Sequence, residues 1–434
     1  MPAGRFFLLL AFTTVLGVVG VLQTWAAWLA LGLDAALLAA LFLDLRRARA
    51  ESLEAERTWP RLLVQGSAST LQVELRRAAP PEAPDCEIEL REILHPALAE
   101  TPGRTRLTLA SRARWTLDLA PAERGEHEAG PLMARVLGPW SLAWSQRQLL
   151  GPERFKVYPQ VRWDGRVGEL LLLAHRRSLG RHPQHLRGLG TEPYALREYL
   201  PGDPPNTVHW KASARHGRLI SREDTWERGA RLVVLLDCGR GMSGLDGERS
   251  KLDHALAASL ALVRVAAARG DRVTLAAFSD RVERLVRVHG GHRSLEAAYG
   301  RVYDLRARLV EPAFDLAAEA ATGAESRRST VVLFTSVVDL AAAELLRRSI
   351  LRLERRHRPV LVNLQDPGLI ALSECRPADP VEAFAKTSAL DILSANRELS
   401  TRLRHVGVRV VSAPADRLAL EALEAYLAIF APGR

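Results

Sequence analysis

Cysteine is scarce in this chain: only Cys86, Cys238 and Cys375 occur in 434 residues. They are odd in number and far apart, and they form no C-x-x-C pair. That argues against a disulfide framework and against zinc, and it fits a reducing compartment. Lysine is almost as rare, limited to Lys156, Lys211, Lys251 and Lys386. The net charge of +10 and the pI near 10.1 therefore come from arginine. Arginine in place of lysine, with so much Ala and Leu, looks like a GC-rich coding bias and discounts part of the basic signal. What survives is an attraction to anionic partners: lipid head groups, acidic proteins or nucleic acid. Catalytic signatures are missing as well. The sequence has no Walker loop, no G-x-S-x-G elbow, no H-E-x-x-H and no paired Cys/His constellation.

Long apolar runs are present, and both lie at the N-terminus. Phe6 to Leu22 is apolar apart from Thr13 and Thr14, and a second run goes from Trp25 to Leu43. Each is near the roughly 20 residues that cross a bilayer. Gln23-Thr24 leaves room only for a tight helical hairpin. Arg5 precedes the first run, and Arg46, Arg47 and Arg49 follow the second. The positive-inside rule then puts both ends of the hairpin in the cytoplasm. A cleaved signal peptide is the rival reading, but the second run and its arginine cluster fit it less well. Asp34 lies mid-way along the second run, where a charge costs about 2.5–3.5 kcal/mol. It reads as a proton or ion site, or as an aspartate that faces Thr13 or Thr14 on the partner helix.

From Leu62 to about Val157 the apolar residues alternate: Leu71-Val73-Leu75, Ile88-Leu90, Leu107-Leu109 and Trp115-Leu117-Leu119. Period-two patterns broken by Pro/Gly-rich turns predict a small β-sandwich-like domain over residues 60–157. A basic connector, 158–228, follows. It holds Arg176, Arg177, Arg181, His182, His185 and Arg187, then REYLPGD (Arg197 to Asp203) and HWKASAR (His209 to Arg215). Interleaved Tyr199 and Trp210 allow nucleic-acid stacking. An ion-pair network with Glu192, Glu198 and Asp203, or a protein-docking surface, explains the same residues. His209, Lys211 and Ser213 invite a catalytic reading that no third group supports.

Residues 229–434 alternate strands and helices: strands at 231–237, 272–278, 330–336, 359–364 and 408–412, with helices between them and a helix over 417–430. Val/Leu-rich strands separated by helices predict a doubly wound, mostly parallel sheet, an α/β fold. Its first strand ends in LVVLLDCGRGM, which delivers Asp237 to a Gly-rich loop. In such sheets ligands meet the carboxyl ends of the strands. Cys238, beside Arg240, is the one thiol there. It reads as a small turn-filling residue or as a reactive nucleophile.

REYLPGD, HWKASARHGRL and LVVLLDCGRGM, in that order, resemble the bacterial family built on domain of unknown function 58. Its pattern is R-E-Y-x-P-G-D, I-x-W-x-x-S-A-R and then L-L-D-x-S-x-S-M. The resemblance covers Glu153 to Arg434 and extends to the hairpin and the β-rich segment before it. It implies a von Willebrand A-like domain on a membrane-tethered protein that is typically encoded beside a MoxR-type AAA ATPase. A working domain of that kind holds a divalent cation with D-x-S-x-S, a second-loop Thr and a third-loop Asp. Here Asp237 survives, Gly239 and Gly241 replace the serines, Phe314 stands at the Thr position beside Asp315, and Ser336 stands at the Asp position. A hard cation wants several oxygen ligands, so this vestigial loop predicts no metal and no cofactor.

The expectation is a non-enzymatic, membrane-anchored adaptor whose membrane contact is lipid around the hairpin. The resemblance implies a MoxR-type ATPase as its partner. The partner-binding candidates are Arg197, Glu198, Tyr199, Gly202, Asp203, Trp210, Lys211 and Arg215. The alternative is a nucleic-acid-acting or hydrolytic protein that uses His209, Lys211 and Arg215. Nucleic acid is not the expected partner.

Overall fold

In a computed structural model, residues 1–20, 24–78, 85–98, 103–161, 165–179, 187–199, 208–225, 230–289, 292–325 and 327–430 are described. They form two compact units, Met1–Gln160 and Val161–Arg434.

The first unit opens with α1 (Gly4–Gly20) and α2 (Thr24–Ala50), packed on each other. Among the described residues one helix, Trp25–Ala50, is long and apolar enough to cross a membrane, and the apolar helix before it is shorter. Thr13 Oγ1 donates to Asp34 Oδ1 at 2.5 Å, so the aspartate faces the partner helix. The strands β1 (Leu53–Thr58), β2 (Leu63–Val64), β3 (Ser69–Arg77), β4 (Cys86–Glu92) and β5 (Gly103–Leu109) follow. They continue with β6 (Arg112–Leu119), β7 (Gly125–Ala129), β8 (Leu132–Leu137), β9 (Trp144–Leu150) and β10 (Glu153–Tyr158). Their sheets run β1-β3-β6, β2-β10-β7 and β5-β4-β8-β9. All the alternating stretches read from the sequence are strands. Leu71, Val73, Leu75, Ile88, Leu90, Leu109 and Leu119 point into one shared core. Period two places every second side chain on the same face, and that face is the one buried.

The second unit starts with α3 (Gly165–Leu179), β11 (Arg187–Glu198), α4 (Trp210–His216) and β12 (Ile220–Thr225). Then come β13 (Arg231–Asp237), the two-residue pair β14 (Leu245–Asp246) and β15 (Arg249–Ser250), α5 (Lys251–Ala268), β16 (Arg272–Phe278) and β17 (Val282–His289). The rest is α6 (His292–Val302), α7 (Phe314–Ala324), β18 (Thr330–Thr335), α8 (Leu340–Glu354), β19 (Arg358–Leu364), α9 (Pro367–Glu374), α10 (Pro380–His405), β20 (Arg409–Ala413) and α11 (Ala415–Ala428).

The main sheet has the order β17-β16-β13-β18-β19-β20. It is parallel except for β17, which pairs antiparallel with β16. In order of appearance that is 3-2-1-4-5-6, a doubly wound sheet with its switch point between β13 and β18. Leu232, Val234 and Leu236 of β13 face a core built with α5, α6 and α11, while Val233 and Leu235 face α7, α8 and α10. A strand buried on both faces has to be apolar throughout, hence the unbroken LVVLL. Val167, Leu170 and Leu171 of α3 pack against the first core, so part of the basic segment belongs to this unit. The connector, read from the sequence as loop-like, holds α3, β11, α4 and β12, and in the α/β region the edge strand β17 and the short helix α9 also went unrecognised.

Candidate functional site

The HWKASARHGRL block folds as a capped turn of helix pinned to a strand. His209 Nδ1 accepts the Ala212 N–H at 3.1 Å, and its own N–H donates to Ile220 O at 2.8 Å. Ser213 Oγ accepts the Ile220 N–H at 2.9 Å. Gly217, at φ 62°, stops the helix in the left-handed conformation that glycine adopts without cost. His209 and Ser213 therefore hold backbone, and Trp210, Lys211 and Arg215 face solvent, with Trp210 71% exposed. Arg197 pairs with Ser221 and Glu198 with Ile220 across β11 and β12. The Tyr199 N–H donates to Leu219 O at 2.9 Å, and Glu198 Oε2 lies 3.3 Å from Arg218 Nη1. These residues share one edge. Gly202 and Asp203 lie outside the described residues, as do Arg181, His182 and His185.

Asp237 ends β13 at the switch point. Its Oδ2 accepts from Thr335 Oγ1 at 2.6 Å, and its Oδ1 accepts from the Gly239 N–H at 2.7 Å. Burial pushes its pKa up to about 6 against the pull of these two donors. The chain itself thus occupies both carboxylate oxygens. Gly241 lies flat on the next strand end: a Cβ there would stand 2.3 Å from the Ser336 carbonyl oxygen. At Gly239 a Cβ would be 3.0 Å from both Asp237 Oδ1 and Pro312 Cδ. Ser336 Oγ is turned away and donates to Leu364 O at 3.2 Å. Phe314 is buried against Phe278. Asp315 is held on α8 by Ser349 Oγ at 2.8 Å, with Arg352 3.7 Å away, so this carboxylate is engaged there. Among the described residues no group of three or more His, Cys, Asp or Glu could hold a metal ion. Cys238 is fully buried.

Arg240 takes a position that the sequence left as a lone charge. Its Nε pairs with Glu311 at 2.7 Å and its Nη2 pairs with Asp339, which also caps α8 by accepting the Ala342 N–H at 2.7 Å. One guanidinium thereby ties the loops after β13 and β18 to the loop between α6 and α7. Around it the rim is apolar and solvent-facing: Leu245 is 71% exposed, Leu309 83% and Leu340 64%. The pair of buried Lys251 Nζ with Asp366 Oδ2 at 2.5 Å was also missed. A signal for it existed, because a lysine in the first turn of a helix opposes the helix dipole and needs a specific partner.

Residues 195–376 match the family model described as "Protein of unknown function DUF58". No curated protein matches the chain. Among solved structures, the von Willebrand A domain of SpRpn10 is 12% identical, covering 45% of this chain and 94% of that one with a TM-score of 0.27. Proximal thread matrix protein 1 of the mussel byssus is 11% identical, covering 45% of this chain and 44% of that one at 0.25. The CARDB domain of the PF1109 protein of Pyrococcus furiosus is 12% identical, covering 25% of this chain and 93% of that one at 0.18. The α/β architecture stands on the strand order itself. The chain thus carries a segment similar to the DUF58 family over residues 195–376, on a doubly wound sheet of order 3-2-1-4-5-6.

Proposed function

We propose that this protein is a non-enzymatic adaptor, anchored by its N-terminal hairpin in the bacterial inner membrane with its folded units on the cytoplasmic side. Its working surface is the strand-end face of the α/β unit together with the α4 edge. The observation that carries this reading is the state of the switch point, where Asp237 and Arg240 are engaged by the chain's own groups while Leu245, Leu309 and Leu340 stand exposed around them. Apolar side chains around a charged centre suit a protein interface, where arginine is enriched and complementary charge sets register. Exposed Trp210 with Lys211 and Arg215 has the same character. The family resemblance names the partner class, a MoxR-type AAA ATPase, and assembly or remodelling of a complex as the shared task.

A detergent pull-down from native membranes, with and without ATP, tests it. Wild type should recover an AAA ATPase. Leu309→Glu/Leu340→Glu and Trp210→Ala/Arg215→Glu, both folded by circular dichroism, should lose it. Unchanged recovery in both variants would refute the surface, and no ATPase from wild type would refute the partner class.

A further inference from the structure

We propose that the turn Gly138–Trp144 is a membrane-interface element that seats the β-sandwich directly on the phospholipid surface. The proposal rests on the reading that the hairpin is inserted in the bilayer, and it adds a contact that the hairpin does not require. Three independent observations on the same turn carry it.

The first is depth. Phe7, Phe12, Trp28, Leu38 and Phe42 are exposed on the hairpin, and the apolar run of α2 ends at Leu43. Leu142 of the turn is buried in one cluster with Phe6 and Leu37, flanked by Leu10, Ala40 and Leu41. Leu37 lies about 9 Å inside the end of that run at 1.5 Å per residue. The tip of the turn therefore reaches the level of the hydrocarbon edge.

The second is rigidity. Asp44, fully buried, accepts three backbone N–H groups of the turn: Trp140 at 2.8 Å, Leu142 at 2.9 Å and Ala143 at 2.9 Å. The Ala3 N–H adds a bond to Leu142 O at 2.7 Å, and the Trp144 N–H one to Met1 O at 2.7 Å. Any Cβ on Gly138 would lie 2.3 Å from the Asp44 carboxyl carbon, so the glycine lets the turn close over the carboxylate. An inserted hairpin carries this turn with it.

The third is chemistry. Trp140 is 42% exposed, and the Arg47 guanidinium sits 4.6 Å from its ring centroid. A half-exposed tryptophan beside an arginine at the end of an apolar band is the side-chain pair of the headgroup layer. There the indole finds its amphipathic level and the guanidinium finds phosphate. The occupant is thus a phospholipid surface, with Arg47 on a headgroup phosphate and Trp140 beside it.

The test uses the full chain in phosphatidylcholine–phosphatidylglycerol nanodiscs, in a Cys375→Ser background that leaves Cys86 and Cys238 buried. An environment-sensitive dye is placed at Pro139→Cys in the turn or at Leu38→Cys in α2. Quenchers are a nitroxide near the headgroup, a nitroxide deep in the acyl chain, and iodide in water. The expected result is loss of most of the Leu38→Cys signal to the deep nitroxide. The Pro139→Cys signal should be lost to the headgroup nitroxide and protected from iodide, with Trp140→Ser reducing that protection. Should Leu38→Cys be quenched from the acyl chain while Pro139→Cys answers only to iodide, the interface proposal is overturned and the hairpin reading stands. If Leu38→Cys also answers only to iodide, both fall. Trp140→Cys serves as the probe site should Pro139→Cys misfold.

Discussion

Gly241→Ser restores the second serine of the D-x-S-x-S pattern, and the structure makes that restoration costly. The new Cβ would stand 2.3 Å from the Ser336 carbonyl oxygen, where ordinary contact begins at 3.4 Å. Ser336 cannot withdraw easily: its hydroxyl is bonded to Leu364 O at 3.2 Å, and the next N–H is bonded to Asn363 Oδ1 at 3.2 Å. The loop cannot lift freely either, since the Arg240 N–H is bonded to Val310 O at 2.9 Å and Met242 is buried. Forcing extra atoms into such packing costs about 1–3 kcal/mol. For a unit of this size that lowers the melting temperature by roughly 2–12 °C. Near-UV circular dichroism of the detergent-solubilised chain on heating reads the shift. Gly241→Ala, with the same Cβ and no hydroxyl, should lose as much. Calorimetric titration of Gly239→Ser/Gly241→Ser should show no Mn²⁺ binding, because both Asp237 oxygens are engaged. A Gly241→Ser chain that melts with the parent, in a double variant that binds Mn²⁺ at micromolar levels until Asp237 is replaced by Ala, would refute the reasoning.

The Asp237 carboxyl titrates near 6 in the folded chain against an ordinary 3.8. The folded chain binds the extra proton in that window, so the contribution of Asp237 to stability is greatest below about pH 4 and falls, by up to ~3 kcal/mol, as pH rises through about 6. Urea titrations at several pH values should show this fall in the difference between wild type and Asp237→Asn; a difference that does not change with pH would assign the titration elsewhere. Ser213→Ala leaves the Ile220 N–H without its acceptor, a loss of about 1–3 kcal/mol. Hydrogen exchange across 209–221 should speed up accordingly, whereas Trp210→Ala, at an exposed position, should leave it unchanged. In the proposed membrane-inserted hairpin, Asp34→Asn retains an acceptor for Thr13 and removes a carboxyl group whose charged form costs about 2.5–3.5 kcal/mol at mid-span. The carbonate-resistant membrane fraction should hold or rise, and a fall would show that the charge itself is used.

Three features of the fold were legible because each rests on a local period. The alternation Leu71-Val73-Leu75 and Ile88-Leu90 marks strands with one buried face, and the unbroken LVVLL of β13 marks a strand buried on both. Two apolar runs beside arginines mark a hairpin. The edge strand β17 escaped notice because VERLVRVH mixes charges with valines, as one-sided edge strands do. The short helix α9 escaped for a different reason: its eight residues, PGLIALSE, are too few to show a helical period, and its adjacent Leu369 and Ile370 do not mark one face. His209, Ser213 and Gly217 looked like chemistry in a linear motif, yet cap, pin and stop are backbone roles that appear only once α4 lies against β12.

The sequence alone determined the order of the units, the loss of both loop serines and the carboxylate at the end of β13. Tertiary structure decided what became of that carboxylate. Thr335, Glu311 and Asp339 lie 98, 71 and 99 residues from Asp237 and Arg240 along the chain. Nothing in local pattern links residues so far apart. Thr335 and Asp339 come there because parallel pairing of β13 with β18 brings two strand ends to one edge, and Glu311 arrives on the loop before α7, whose Val310 O accepts the Arg240 N–H.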